Sequence, residues 1–222
     1  MTENPWELVW SDRDAARADW NGYEACFDTP LDYERFVCQA TEFIVRILHL
    51  GPADSVLDIG CGSGRLSTTL SPYVGNVVGI DFSTAALTVA RDRPSENVRY
   101  ERVDLNKTDL ATVSGYAKAI AMGSLHYLAD IRRLRELLMA TTSTADLLAL
   151  DIPNADTPDP RPRDYDQSVY RHLCLSPGEV LEWFPHATVM HDIFPGYANS
   201  KYRFAVLIPR RGPEDSPSSH PR

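Results

Sequence analysis

One stretch of this chain constrains its fold more than any other. Val56-Leu57-Asp58-Ile59 reads as an apolar β-strand and runs without a break into Gly60-Cys61-Gly62-Ser63-Gly64-Arg65, with three glycines at alternate positions. Such a turn lets main chain come close to a ligand. A side chain at any of the three would occupy ligand volume or forbid the turn, and the helix beyond presents unpaired N–H groups. Spacing separates this turn from related ones. The dinucleotide fingerprint G-x-G-x-x-G needs its third glycine where this chain has Arg65, and the P-loop needs a Gly-Lys-Ser/Thr that is absent.

The sequence around the turn alternates. β-rich segments fall at Ser55 to Ile59, Asn76 to Ile80, Val98 to Val103, Ala117 to Met122 and Ala145 to Leu150, with helical stretches such as Ala85 to Arg91 and Ile131 to Met139 between them. Strands and helices alternating at this length imply right-handed crossovers and a mainly parallel sheet covered on both faces, the α/β class. Before the first strand, Thr29 as N-cap, Pro30 at the first helical position and Asp32 in the first turn start a helix. Phe36, Val37, Ala40, Phe43, Ile44, Ile47 and Leu48 give that helix one apolar face, and Gly51-Pro52 is its expected stop.

Three further segments follow from local chemistry. Residues 154–163 contain three prolines among mixed charges and predict a long loop over the top of the sheet. Ser176-Pro177-Gly178-Glu179 has the pattern of a capping box, so a helix follows it. Thr188 to Ile193 and Tyr202 to Pro209 are expected as strands. The expected organisation is a cap or lid at 1–28, one main domain at 29–209 and a disordered Pro- and Ser-rich tail at 210–222. Trp6, Trp10, Trp20, Tyr23 and Phe27 mark the N-terminal segment, which is either a helix packed on the outside or a lid whose aromatics close over a ligand.

Composition narrows the partners. With 31 Asp and Glu against 22 Lys and Arg, the chain carries a formal net charge of -9 and repels phosphate backbones, so nucleic acid is disfavoured. Its apolar runs are far shorter than the roughly 18 residues a membrane helix needs. The first residues lack the pattern of a secretory signal, so a cytoplasmic location is expected. Cys26, Cys38, Cys61 and Cys174 are irregularly spaced without a C-x-x-C pair, which fits reduced thiols and no metal site.

Two acids follow the glycine turn at strand ends. Asp81, in Val77-Val78-Gly79-Ile80-Asp81-Phe82-Ser83, lies 17 residues beyond Gly64 and can accept ribose hydroxyls. Asp104, after the third strand, is placed to receive an adenine amino group. With VLDIGCGSGRLS, VVGIDFS and ERVDL together, the chain resembles the class I S-adenosylmethionine-dependent methyltransferases, from about Ser55 to Pro153.

The resemblance implies a Rossmann-like, mainly parallel seven-stranded sheet with an antiparallel last strand, and S-adenosyl-L-methionine as cofactor. Asp58, Gly60, Cys61, Gly62, Ser63 and Gly64 would lie beside the methionine part. Asp81, with Phe82 and Ser83, would hold the ribose, Asp104 and Leu105 would flank adenine, and Met122 and Gly123 would line the mouth of the fourth strand. The pattern is departed from at Tyr116-Ala117-Lys118, the start of the fourth strand, and at Thr144-Ala145-Asp146, before the fifth, which are scaffold positions.

Methyl transfer needs alignment and, for a hydroxyl acceptor, a base within reach. His126, just past the fourth strand, is the first candidate base, with a packing role as the competing reading. Asp151, at the end of the fifth strand, is the second. Trp10, Tyr23, Tyr127, Arg171, His172, Tyr197, Lys201 and Arg203 are candidates for holding the acceptor. In a strand, Lys201 and Arg203 would share a side and favour an anionic group. The expected activity is methylation of a small molecule, a saccharide or specialised metabolite, on oxygen before nitrogen, by a monomer or homodimer. A cofactor-retaining cyclase or binding protein is the alternative.

Overall fold

The computed structural model describes Trp6, Trp10, Phe27 and residues 29–93, 95–161, 171–194 and 196–212. Trp20, Tyr23, Cys26, most of the expected cap and the tail from 213 lie outside the described residues. Helix α1 (Pro30–Leu48) begins as its caps dictate, with the Thr29 hydroxyl accepting the Asp32 N–H at 3.2 Å. It ends earlier than the Gly51-Pro52 signal suggested. His49 takes the left-handed conformation (φ 51°), and Leu50 N–H reaches back to Val45 O at 3.0 Å.

The chain then alternates as β1 (Ser55–Ile59), α2 (Arg65–Leu70), β2 (Asn76–Asp81), α3 (Thr84–Arg91), β3 (Val98–Arg102), β4 (Lys118–Met122), α4 (Ile131–Thr142) and β5 (Asp146–Pro153). Helix α5 (Pro177–Trp183) carries the capping box, with Ser176 and Glu179 bonded to each other's main-chain N–H at 3.1 and 2.7 Å. Strands β6 (Thr188–Met190) and β7 (Arg203–Ile208) complete a sheet of order β3-β2-β1-β4-β5-β7-β6. The first five strands run parallel, and β7 is antiparallel to both β5 and β6.

Strand alternation sorts the side chains into two cores. Leu57, Ile59, Ala119, Ala121, Leu147 and Ala149 face α4 and α5, whereas Val56, Val77, Ile120, Leu148 and Leu150 face Leu66 and Leu70 of α2 and Ile44 and Leu48 of α1. Each such large side chain contributes roughly 2 kcal/mol. Asp58 shares the register of Val56 and so points into the second core. Strand order reverses between β1 and β4, where the crossovers leave in opposite directions and open a crevice at the carboxyl ends.

One expected strand starts later than the alternation suggested. Ser200–Tyr202 forms a 3₁₀ turn, and β7 starts only at Arg203. Lys201 and Arg203 therefore do not share one side of a strand. Pairing of β5 with β7 shifts register between Ala149 and Ile152, and Asp151 sits there at φ 58°. No helix among the described residues is long and apolar enough to cross a membrane.

Candidate functional site

The glycine turn is held by main-chain bonds and one carboxylate. Gly60 and Cys61 N–H both donate to Ile80 O, at 2.8 and 3.1 Å, strapping the turn over the end of β2. Asp81 Oδ2 accepts the Gly62 N–H at 2.9 Å, and Oδ1 accepts the Ser83 N–H at 2.8 Å. The side chain is only partly buried. Ser83 also caps α3, through its hydroxyl to Ala86 N–H at 3.1 Å. Phe82 is half-buried, and its carbonyl accepts from Arg102 Nε at 3.1 Å.

The reason two of the glycines are bare differs from the one their sequence suggested. A Cβ on Gly60 (φ 74°) would overlap Ser124, whose hydroxyl donates to Ile59 O at 2.6 Å. A Cβ on Gly64 (φ 75°) would run into the end of the Tyr100 ring and Ala90. Neighbouring protein, rather than ligand volume, excludes a side chain at both positions. Gly60→Ala is expected to cost about 2 kcal/mol, from overpacking and the left-handed backbone. Thermal melts of Gly60→Ala and Gly60→Ala/Ser124→Gly test this: the double variant should recover the steric part only.

Asp58 is 2% exposed and is bonded by the Ser67 hydroxyl at 2.5 Å. Burial raises its carboxyl from 3.8 to about 7, Ser67 partly opposes the shift, and the nearby Asp81 charge adds to it. It therefore supports the turn from behind. Cys61 is also buried, with its Sγ 2.9 Å from where a Cβ on Gly79 would sit, and burial pushes its thiol well up. Ser63 is buried, and its carbonyl accepts Arg93 Nε at 2.7 Å.

Asp104 offers an acceptor. Its Oδ1 takes the Asn106 N–H at 3.0 Å, whereas Oδ2 is buried and receives no hydrogen bond. Lys107 Nζ lies 3.3 Å from Oδ2, off the line of a hydrogen bond. An adenine amino group would satisfy that oxygen. Leu105 packs against the core while its carbonyl accepts Arg133 Nε at 2.6 Å. Gly123 continues from Met122 with its N–H on Leu150 O at 3.1 Å, which joins the β4 exit to β5.

On the other side of the crevice, His126 is 5% exposed, with its ring 4.2 Å from Tyr127 and 4.4 Å from His172. Asp151 is buried beside Arg203, Oδ1 to Nε being 3.9 Å, and Arg203 is itself only 8% exposed. Lys201 lies over the Tyr202 ring at 4.8 Å, and Arg171 is exposed. Tyr197 stacks on Phe27 and accepts from Asn199 Nδ2 at 2.8 Å. The expected basic patch is thus dispersed. Trp10 meets Tyr127 edge-on, and Tyr23 lies outside the described residues.

Tyr100, Ser124 and Ser67 were not identified from sequence as parts of the site. Tyr100 donates to Gly64 O at 3.2 Å, and each of the three braces the turn from a different element. Trp6 was noted only as one aromatic of the N-terminal segment, yet it is buried against Tyr127 and His172.

A 3-2-1-4-5-7-6 sheet with an antiparallel seventh strand, a glycine turn at its reversal point and acids ending β2 and following β3 define the class I S-adenosylmethionine-dependent methyltransferase fold. Residues 56–144 match the family model described as methyltransferase domain. It is 36% identical over 120 residues to 2-phytyl-1,4-naphtoquinone methyltransferase of Nostoc sp., covering 50% of this chain and 52% of the relative. It is 34% identical over 82 residues to a ubiquinone biosynthesis O-methyltransferase of Hahella chejuensis, covering 36% and 34%. The chain spans about half or less of the length of these curated relatives. The magnesium protoporphyrin IX methyltransferase of Synechocystis, solved with bound S-adenosylmethionine, superposes with a TM-score of 0.63 at 13% identity, covering 93% of this chain and 96% of that one.

Proposed function

We propose that this chain transfers a methyl group from S-adenosylmethionine to a small-molecule acceptor, oxygen being favoured over nitrogen. The observation that carries this reading is the Asp81 brace on Gly62 at the β1/β4 reversal, which sets a partly buried carboxylate at the end of β2 beside the glycine turn. The buried Oδ2 of Asp104, which receives no hydrogen bond, fits the adenine end, and the Asp81 carboxylate at the glycine turn suits a cationic nucleoside. The matched relatives named for quinone methylation support a small acceptor.

When bound, S-adenosylmethionine supplies an electrophilic methyl group without metal assistance. The protein's share is alignment. Asp81 would receive the ribose hydroxyls, and Ser124 ties the β4 exit to Ile59 O at the end of β1, which fixes the start of the turn that carries His126. His126 is the base that takes the acceptor's proton, and Asp151, held by Arg203, orients the acceptor from β5.

Calorimetry should give saturable heat with S-adenosylmethionine and with S-adenosylhomocysteine, and the absence of both would remove the reading. With an acceptor in hand, His126→Ala should lower kcat about 100-fold with cofactor affinity retained. Wild-type rates in both His126→Ala and Asp151→Ala would leave positioning as the whole mechanism.

A further inference from the structure

Five rings collect at the exit of β4. Trp6 lies 4.9 Å from His172 at 25° and meets Tyr127 edge-on at 4.8 Å and 74°. Trp10 meets Tyr127 at 5.3 Å and 89°. His126 and His172 lie 4.4 Å apart, and Tyr127 and His172 5.1 Å apart. The rings come from three separate parts of the chain. The 3₁₀ turn Leu125–Tyr127 and the 171–175 segment are tied by Leu173 N–H to His126 O at 3.0 Å, and the tryptophans arrive from the N-terminal segment.

None of these rings belongs to the apolar cores that close the two sheet faces. Trp10, Tyr127 and His172 also stay partly exposed. Trp6 and His126, 4% and 5% exposed, form the buried base of the group, and Trp10, Tyr127 and His172 bring partly exposed ring surface to the ligand-bearing edge of the sheet. Its chemistry selects among acceptors. Arg203 and Lys201, the cations expected to hold an anionic group, are engaged with Asp151 and Tyr202. Two of the five rings are imidazoles, so a cationic acceptor is served worse than in a cage of indoles and phenols. Ring faces and edges at these angles suit stacking of another planar ring.

Resting on the methyl-transfer reading above, we propose that this cluster is the acceptor subsite and takes a planar aromatic ring bearing a hydroxyl. Trp10, Tyr127 and His172 form its wall with Trp6 packed behind them, and the hydroxyl lies toward His126. The acceptor class is thus phenolic rather than saccharide, anionic aliphatic or amine.

The test titrates the full chain with 2-naphthol, methyl glucoside and ethanolamine, with and without S-adenosylhomocysteine, read by calorimetry and tryptophan fluorescence. Saturable binding with changed fluorescence is expected for 2-naphthol only. Trp10→Ala and Tyr127→Ala should each weaken naphthol binding about tenfold, as expected for loss of one aromatic contact, whereas Trp10→Phe should stay within about threefold. Heat with S-adenosylhomocysteine in each variant reports an intact fold; if Tyr127→Ala lacks it, the Trp10 pair decides. No saturable naphthol signal, an unchanged naphthol affinity in Trp10→Ala, or methyl glucoside binding as tightly as naphthol would overturn the proposal. Missing S-adenosylhomocysteine heat in the wild type with naphthol binding intact would instead remove the methyl-transfer reading and leave the ring subsite standing.

Discussion

Asp81→Ala is expected to weaken S-adenosylmethionine binding at least about 100-fold, because one carboxylate carries two separate duties. It accepts the Gly62 and Ser83 N–H groups at 2.9 and 2.8 Å, so its removal leaves two donors at the turn without their charged acceptor. It also removes the proposed ribose acceptor. Hydrogen bonds to a charged group contribute about 1.5–3 kcal/mol each, and two lost together exceed the factor of 100. Asp81→Asn keeps one acceptor oxygen and loses the charge, so an intermediate affinity is expected. Calorimetry on the three proteins measures the series, and equal affinities across it would show that the brace is unnecessary.

The largest stability effect is expected at Asp58. Its carboxyl titrates near 7 in the folded protein against an ordinary 3.8, so the native state holds a proton that the unfolded chain has released. Below pH 4 both states are protonated and nothing is lost. As pH rises from 4 to 7 the unfolded state binds fewer protons than the native state, and stability falls; above 7 the buried charge exerts its full penalty. Three pKa units correspond to about 4 kcal/mol. Asp58→Asn keeps an acceptor for the Ser67 hydroxyl and has no charge to bury. Relative to the wild type it should gain on the order of 10 °C in Tm between pH 5 and pH 8. Parallel pH dependences in thermal melts of the two proteins would show that Asp58 does not carry the effect.

The buried acid and the brace also show which features could be read along the chain. The Thr29 cap, the Ser176–Glu179 capping box and the strands from Ser55 to Met122 lie within one or two residues of where local pattern put them, since each depends on contacts a few positions apart. His49 took over the helix stop from Gly51 because the chain turns where α1's apolar face ends. The shifted start of β7 has a longer reach. Its pairing with β5 shifts register between Ala149 and Ile152, so it involves two strands far apart in the chain.

From its residues alone, the chain determined an alternating α/β order, a strand that ends in alternating glycines, and acids at the ends that follow. Those are consequences of period, propensity and backbone freedom, all short in range. Only the tertiary structure decided that Ser124 and Tyr100 keep Gly60 and Gly64 bare, that Arg203 lies beside Asp151 instead of sharing a strand face with Lys201, and that Trp6 stacks on His172. Each of these joins side chains from distant parts of the chain, and such neighbours exist only once strand order and crossover direction have brought their elements side by side.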